Sequence, residues 1–248
     1  MKSVYKSVVG MKRKNNEDSV FCGNDIFSDL FIVADGMGGC NGGEVASSEA
    51  IKAFVKELNN NIKEYKDDEN ILDSLISAIQ YSNKFVYNKS CENPNLIGMG
   101  TTIDGTVIRK GKLFGVHVGD SRIYILRDNK LYRLTSDHSY VMELVKLGQI
   151  TMEEAETHPA RNLITNALGT KDNLEVDTVI VDTQYDDIIL LCTDGLTTMI
   201  NDKRIEEILN LDKSIEEKAD ILVKEANDAG GLDNITLILI EQEVDEWF

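Results

Sequence analysis

GTTIDGTVIRKGKLFGVHVGDSRIYILRDNKLYRL, residues 100–134, is the stretch of this chain that most strongly indicates β-structure. It contains four short strand-like runs that are separated by glycines or by Asp-Asn, at 102–108, 112–118, 122–126 and 130–134. Strands joined by such short turns pair as antiparallel neighbours, because parallel strands need long crossover connections. We therefore predict an antiparallel meander in the middle of the chain.

Further strands and two blocks of helices surround this meander. Short apolar runs predict five more strands, at 19–22, 30–34, 175–181, 187–192 and 235–240. Apolar residues at helical spacing predict four main helices, which start near residues 44, 71, 202 and 214, with a loop at 60–68 between the first two. We expect an α+β layered fold in which helices cover the outer faces of antiparallel sheets.

Residues 136–170 form a surface excursion in this prediction, since they show no strand pattern. One capping box, Thr151 with Glu154, indicates a single short helix within it. A second capping box, Ser214 with Glu217, marks the start of the last predicted helix.

The overall composition limits the functions that this chain can have. Its 43 Asp and Glu against 26 Lys and Arg give a formal net charge of −17, which repels the phosphate backbone of nucleic acids. The four cysteines form no CxxC pair, no apolar run is long enough to span a membrane, and we expect no signal peptide. We expect a single domain over residues 1–248, monomeric and cytoplasmic, with no nucleic-acid or membrane partner.

Six acidic residues lie beside predicted strands or turns although they are far apart in the sequence. They are Glu17, Asp18, Asp35, Asp120, Asp194 and Asp233. If the fold gathers them at one edge, their carboxylates form a site of oxygen donors, which hard cations such as Mg²⁺ and Mn²⁺ prefer. A single Asp-Gly pair after a strand is more often a hairpin turn, so this hypothesis depends on the whole set.

The glycines that follow Asp35 are a second indication of a ligand site. They occupy positions 36, 38, 39, 42 and 43, which is more glycine than a tight turn needs. Glycine lets the backbone approach a ligand closely, so the carbonyl group of Gly36 is a candidate metal ligand. Neither the Walker A spacing nor GxGxxG fits residues 36–43, which argues against nucleotide binding.

Arg13 lies in a basic run four residues before Glu17. Such a run is usually a solvated surface, but beside carboxylates a guanidinium can hold two phosphate oxygens while metal ions hold others. No cysteine has an arginine six positions later and no GxSxG elbow occurs, so a covalent nucleophile is not indicated. The three histidines are too scattered for a zinc site: His117 is predicted to pack inside a strand, and His138 and His158 to lie in the excursion.

Five motifs, taken in order, strongly resemble those of the metal-dependent protein phosphatases of the 2C type. They are RKNNED at 13–18, DGMGG at 35–39, GDSR at 119–122, TDGL at 193–196 and DNIT at 233–236. The excursion at 136–170 is similar to the flap of the bacterial members, and is called the flap below. The resemblance covers essentially the whole chain. It implies a four-layer αββα sandwich, two antiparallel β-sheets flanked by helices, with the flap near a two-metal site.

The resemblance also implies a role for each residue of the two main metal sites. Asp35 would bridge the two ions, with the carbonyl group of Gly36 beside it, while Asp194 and Asp233 would complete the other site. Glu17 would bind mainly through a water molecule.

Three further roles follow from the same resemblance. Asp18 would orient metal-bound water, and Arg13 would offset charge on the phosphoryl oxygens. Asp120, together with Asp194, would hold the third ion of the bacterial relatives. The implied cofactors are therefore two Mn²⁺ or Mg²⁺ ions, with a place for a third.

We therefore predict a phosphoserine/phosphothreonine protein phosphatase that uses a metal-activated water and opposes a cognate Ser/Thr kinase. A metal-dependent hydrolase of small phosphoesters and a catalytically silent phosphoprotein-binding relative are the alternatives. Met37 stands where many eukaryotic members carry a histidine, and methionine cannot protonate a leaving group. We expect a metal-bound water to serve instead, with His138 as the weaker candidate.

Overall fold

The computed structural model describes residues 1–38, 42–67, 70–172 and 174–242. Gly39 of the glycine-rich segment, Cys40 and Asp68 of the predicted loop lie outside the described residues. None of the described helices is both long and apolar enough to cross a membrane.

Strands in the described residues form two antiparallel sheets. They are β1 (Lys2–Val8), β2 (Asp18–Cys22), β3 (Leu30–Met37), β4 (Gly100–Thr101), β5 (Ile103–Arg109), β6 (Lys112–Val118), β7 (Arg122–Arg127), β8 (Lys130–Arg133), β9 (Asp177–Asp182), β10 (Ile188–Cys192) and β11 (Ile235–Glu241). The first sheet has the order β1-β11-β10-β7-β8. The second has the order β2-β3-β5-β6-β9, with β4 paired to β3.

Helices lie in two main blocks, as predicted. They are α1 (Gly42–Asn60), α2 (Ile62–Lys66), α3 (Ile71–Glu92), α4 (Tyr140–Lys146), α5 (Met152–Thr157), α6 (Asp194–Thr197), α7 (Asp202–Leu209) and α8 (Ile215–Asp228), with a 3₁₀ turn at Pro94–Leu96. Both predicted capping boxes are present, at the starts of α5 and α8.

Three apolar clusters hold four layers together. Helices α1 and α3 pack on the outer face of the second sheet, where Phe54 and Ile79 are fully buried. Helices α7 and α8 pack in the same way on the first sheet. Between the sheets, Phe31 and Val33 of β3 share a cluster with residues of β10 and β11. Because β3 is buried on both faces, its run is apolar without alternation, and the predicted αββα sandwich is confirmed.

The predicted single meander over residues 102–134 is wrong in one respect. Strands β5 and β6 pair in the second sheet, whereas β7 and β8 pair in the first, so the chain crosses between sheets at 119–121. Gly119 makes this passage possible, because its φ is +116° and a Cβ there would lie 2.5 Å from Cγ2 of Thr102. A turn signal in the sequence reveals that the chain turns, but not which sheet it enters.

Smaller differences concern short or edge elements. Strand β1 was not predicted, since as an edge strand it keeps polar residues among its apolar ones. Helix α2 occupies part of the predicted 60–68 loop, and the flap contains α4 in addition to the predicted helix. Ser139 starts α4 by accepting the backbone N–H of Met142 at 3.4 Å, and this cap is absent from the prediction.

Candidate metal centre

Strand pairing in the second sheet brings two of the predicted acids side by side. In the antiparallel register of β2 and β3, Asp18 lies directly opposite Asp35. Directly opposed residues have Cβ atoms about 5 Å apart, so the two carboxylates are neighbours. Glu17 immediately precedes this pair.

The first sheet brings three more acids to one edge. Cys192 at the end of β10 pairs both with Leu237 of β11 and with Arg122 of β7. Asp194 follows this row of residues, while Asp233 and Asp120 precede the corresponding strands. All three acids therefore emerge at the same edge of the sheet.

The acids of the two sheets face one another across the sandwich. The hydroxyl group of Thr193 donates a hydrogen bond of 2.9 Å to Oδ2 of Asp18, which links the sheets at this edge. Burial, followed by the negative charges of Asp18 and Asp194, raises the pKa of Asp35 well above its ordinary value. The predicted convergence of the acidic set is therefore found.

Close backbone contacts hold this edge together at Gly195. A Cβ at Gly195 would lie only 1.9 Å from the carbonyl oxygen of Asn234, so the turn after β10 tolerates no side chain there. The Asn234 side chain accepts the N–H of Glu17 at 2.8 Å and donates to the carbonyl groups of Val9 and Asn15 at 2.9 Å. Asn234 thus fixes the segment that carries Arg13 and Glu17. In the sequence, Asn234 is recognisable only as part of the DNIT motif.

Gly36 and Glu17 lie against the same point at the start of α1. The N–H of Gly36 donates to the carbonyl oxygen of Glu17 at 3.2 Å. A Cβ at Gly43 would lie 2.6 Å from the carbonyl oxygen of Gly36 and 2.8 Å from the carboxyl carbon of Glu17. The Gly36 carbonyl group and the Glu17 carboxylate, each of which is predicted to take part in metal binding, are therefore neighbours.

Two buried threonines hold the backbone of Asp35 through hydrogen bonds. The N–H of Asp35 donates to the hydroxyl oxygen of Thr102 at 2.9 Å, and the hydroxyl group of Thr101 donates to the Asp35 carbonyl oxygen at 2.8 Å. Thr102 also shares a hydrogen bond of 2.8 Å with Ser121, next to Asp120. These threonines were not singled out from the sequence, because a threonine in a strand is usual and carries no signal.

Burial and mutual repulsion disfavour the ionised form of these acids. Burial, followed by the charges of Asp194 and Asp233, raises the pKa of Asp18 to about 7. Burial and the charge of Asp194 also raise the pKa of Asp120 well above its ordinary value. The pKa of Asp194 itself rises through burial and the charge of Asp233, although a hydrogen bond with Asp35 opposes the change. Such a cluster needs a positive partner to be fully ionised at neutral pH.

The donor groups fit a hard divalent cation. They are carboxylates and a backbone carbonyl group, and Oδ1 of Asp18, Asp120 and Asp194 is in each case buried without a hydrogen-bond partner among the described residues. No three acid, histidine or cysteine side chains in the described residues already surround one point closely enough to hold an ion. The two carboxylate oxygens of Asp233 accept hydrogen bonds from Arg13 at 2.7 Å and from the Asn234 N–H at 2.8 Å.

Comparison with known proteins assigns this arrangement to a family. The family model for protein phosphatase 2C matches residues 11–229. The chain belongs to the protein phosphatase 2C family. It is 39% identical over 246 residues to the serine/threonine phosphatase stp of Listeria welshimeri. The aligned residues cover 98% of this chain and 97% of that relative. The predicted family is confirmed.

Two solved structures of this family have the same fold. The serine/threonine phosphatase PstP/Ppp of Mycobacterium tuberculosis superposes with a TM-score of 0.89 at 37% identity, covering 98% of this chain and 99% of the other. The catalytic domain of PstP in complex with two manganese ions gives a TM-score of 0.84 at 35% identity, with 96% of each chain covered. The predicted enzyme class, a serine/threonine protein phosphatase, agrees with these relatives, and 2C-type phosphatases are metal dependent.

Arg13 of this 2C-type phosphatase lies at the opening of the acid cluster. Its side chain is 48% exposed and forms the ion pair with Asp233. Although partial burial lowers the pKa of the guanidinium group, the hydrogen bond and charge of Asp233 raise it further, together with Glu17 and Asp35. Arg13 is therefore a permanent cation next to the predicted metal ligands and within reach of solvent.

His138 does not face the acid cluster. Its Nδ1 accepts the N–H of Gly119 at 3.1 Å, and its Nε2 lies 3.2 Å from Oδ2 of Asp177. Burial and the neighbouring His117 lower the pKa of His138, so the ring is neutral at physiological pH. Both ring nitrogens are engaged, and the structure therefore offers no support for His138 as the acid that protonates the leaving group.

His117 is packed inside β6, as predicted, but it is also paired. Its Nδ1 lies 2.6 Å from Oδ1 of Asp104, and both side chains are fully buried. Burial alone would lower the pKa of His117, but the charge and hydrogen bond of Asp104 outweigh it and raise the pKa. The sequence contained no signal for this pair, because Asp104 and His117 meet only through the register of β5 and β6.

Proposed function

We propose that this protein hydrolyses phosphoserine and phosphothreonine in proteins at a centre of two Mn²⁺ or Mg²⁺ ions, with a third held by Asp120 and Asp194. The observation that carries this proposal is a group of buried carboxylate oxygens on Asp18, Asp120 and Asp194 for which the described part of the chain provides no hydrogen-bond partner. Buried anionic oxygens are costly unless a cation or a donor meets them.

The residues that would hold the ions come from both sheets. They are Asp35, Asp120, Asp194 and Asp233 through their carboxylates, Gly36 through its carbonyl group, and Glu17 mainly through water. When bound, divalent ions lower the pKa of a coordinated water and offset the negative charge of the phosphoryl group. The hydrogen bonds of Asn234 and Thr102 keep the backbone of this ligand set in place.

Arg13 and Asp18 would act on the substrate and on water. Arg13 is exposed enough to turn from Asp233 to a phosphate group, and its planar guanidinium can hold two phosphoryl oxygens. Asp18 is fixed through its Oδ2 by Thr193, while its Oδ1, which no described residue meets with a hydrogen bond, would accept one from the attacking water. Arg13 thus binds and orients the phosphate, and Asp18 orients the nucleophile.

The setting of the enzyme is part of the same proposal. Residues 1–248 form one 2C-type domain that acts as a monomer in the cytoplasm, on proteins phosphorylated by a cognate Ser/Thr kinase. The flap carries the choice of substrate. The net charge of −17 supports protein substrates over nucleic acids, because it repels a phosphate backbone.

One assay tests this function against the two alternatives. Wild type and Asp194→Ala are compared on a phosphothreonine peptide and on a small aryl phosphate, with Mn²⁺ or with chelator. We expect metal-dependent turnover of the peptide, and a loss of at least about a hundredfold in Asp194→Ala, since even residues behind a metal ligand cost up to that much. Asp25→Ala, at an exposed position, is the control and should behave as wild type.

The other outcomes of this assay are informative. Turnover of the aryl phosphate alone would favour a small-phosphoester hydrolase. Absence of any metal-dependent turnover by the folded wild type would favour a phosphoprotein-binding relative and would overturn the proposal.

Arg13 provides a second test at the substrate end of the site. Arg13→Ala should lower kcat/KM for the phosphopeptide by about a hundredfold, because a charged donor to the phosphoryl group is lost. Arg13→Lys should recover only part of this loss, since lysine keeps the charge but not the fork. Lys14→Ala is the matched control. Equal activity of Arg13→Ala and Lys14→Ala would show that Arg13 is only a surface residue.

A further inference from the structure

His138, near the start of the flap, connects both ends of the flap to the turn at residues 119–121, which contains Asp120. The N–H of His138 donates to the carbonyl oxygen of Gly119 at 2.7 Å, and its carbonyl oxygen accepts the N–H of Thr165 at 2.8 Å. The side-chain amide nitrogen of Asn166 lies 3.2 Å from Nδ1 of the same ring. His138 belongs to the start of the flap, and it therefore contacts both the end of the flap and the turn between β6 and β7.

The hydrogen-bond network determines which ring nitrogen of His138 carries the proton. Nε2 faces a carboxylate oxygen of Asp177 at 3.2 Å, and a carboxylate can only accept. Nε2 therefore carries the hydrogen, and Nδ1 is left as the acceptor that faces the Gly119 N–H at 3.1 Å. His138 thus binds Gly119 twice, once through its backbone and once through its ring.

The ring of His138 is held in this orientation by its surroundings. Its side chain is only 10% exposed, and its centroid lies 4.7 Å from that of the buried His117. His117 in turn bonds Asp104 at 2.6 Å and lies 3.1 Å from the carbonyl oxygen of Ser136. The ring therefore cannot swing away from Gly119 without disturbing the buried pair behind it.

Gly119 cannot be held by a side chain of its own. Its φ of +116° and the contact with Thr102 exclude a Cβ. Other residues can therefore hold Gly119 only through hydrogen bonds to its backbone N–H and carbonyl group. The next residue is Asp120, whose Oδ1 is buried and has no hydrogen-bond partner within residues 1–38, 42–67, 70–172 and 174–242. A shift of the Gly119 peptide would move the Asp120 carboxylate directly.

We propose that His138 is a positioning residue that fixes the Gly119–Asp120 turn and so directs the Asp120 carboxylate toward its cation. His138 also joins this turn to both ends of the flap. This inference rests on the proposed function, which makes Asp120 a metal ligand. His138 does not touch the substrate or the metal. Its effect passes through the backbone of Gly119.

Calorimetric titration of Mn²⁺ into the metal-free full chain tests this role without relying on activity. Asp120→Asn should remove one binding step. His138→Gln should weaken that same step about tenfold, because glutamine presents its oxygen near the position of Nε2 and leaves the Gly119 N–H unmatched. His138→Asn presents its oxygen near the position of Nδ1 and should stay within about threefold of wild type. His158→Gln, a change of the same kind in the flap, should bind as wild type.

Asp177→Ala gives a second route if His138→Gln does not fold, as judged by thermal unfolding in chelator. Asp177 is exposed, and its loss frees the Nε2 side of the ring, so the same step should weaken about threefold or more. Asp182→Ala, at the exposed far end of the same strand, is its control and should change nothing.

The outcomes separate this inference from the proposed function. If Asp120→Asn loses a step while folded His138→Gln and Asp177→Ala titrate as wild type, the role of His138 is overturned and the metal assignment stands. Equal weakening in His138→Asn and His138→Gln would also overturn it, since ring volume would then matter rather than the acceptor. If Asp120→Asn keeps every step, the assignment of Asp120 falls, and the inference falls with it.

Discussion

At Gly36 the backbone of β3 runs against the start of α1, with no room for a side chain. A Cβ there would lie 2.1 Å from the carbonyl oxygen of Gly43 and 2.6 Å from that of Glu17. The reason for glycine is therefore the close approach of three backbone segments. It brings the Gly36 carbonyl group and the Glu17 side chain to one place.

Gly36→Ala should lower the free energy of unfolding by about 3 kcal/mol, because both contacts are to backbone that cannot move aside easily. It should also weaken Mn²⁺ binding, since the carbonyl group of residue 36 must shift. Urea unfolding in chelator and calorimetric titration measure the two effects. Gly115→Ala is the matched control within a strand, where the nearest atom to a Cβ would be at 3.4 Å. A change in Gly36→Ala no larger than in this control would contradict the argument.

At the scale of single elements, α8 illustrates how local sequence sets a boundary. Ser214 accepts the N–H of Glu217 at 3.2 Å, and the Glu217 carboxylate accepts the N–H of Ser214 at 3.1 Å. The helix then buries Ile215, Ala219 and Leu222 against the first sheet. The cap and the apolar spacing are both local, which is why this helix could be predicted from sequence.

Ser214→Ala should lower the free energy of unfolding by about 1 kcal/mol, because the N–H of Glu217 loses its acceptor. Ser214→Asn, which keeps a capping oxygen, should stay within a few tenths of a kcal/mol of wild type. The phosphopeptide kcat/KM should be unchanged in both, since this cap is not part of the metal centre. Urea unfolding measures the difference, and identical midpoints for the two variants would show that the cap contributes nothing.

At the scale of the whole molecule, a small group of the 43 acidic residues forms one buried cluster whose protonation depends on pH. The raised pKa of Asp18, about 7 against an ordinary 3.8, means that the folded protein binds more protons than the unfolded chain between these values. Raising the pH through this range therefore favours unfolding. The raised pKa of His117 acts in the same direction at the upper end of the range.

Without metal, the protein should lose stability as the pH rises from about 4 to about 7. Asp18→Asn should flatten this dependence, because one of the acids that must lose a proton is gone, whereas the exposed control Asp25→Asn should not. Mn²⁺ in excess should raise the stability most at the high end of the range, where the acids are more easily ionised. Thermal unfolding across pH in chelator and in Mn²⁺ measures this. A wild-type stability that climbs from pH 5 to 7 in chelator would be the opposite result.

The sequence by itself determined the local features of this protein. Apolar runs located most strands, the capping boxes located the starts of α5 and α8, and the order of acidic motifs identified the family and the candidate ligands. These signals are short-range or are types of residue at given spacings, so they can be read without the fold.

Only the tertiary structure decided how these pieces meet. Three features depend on pairings between residues that are distant in the chain. They are the division of residues 102–134 between two sheets, the hydrogen bond between Asn234 and Glu17, and the contact of His138 with Gly119. Such contacts are selected by packing and by backbone hydrogen bonding across the whole molecule, and they leave no periodicity in the sequence. That is the physical reason why candidate ligands could be named from the sequence but the residues that position them could not.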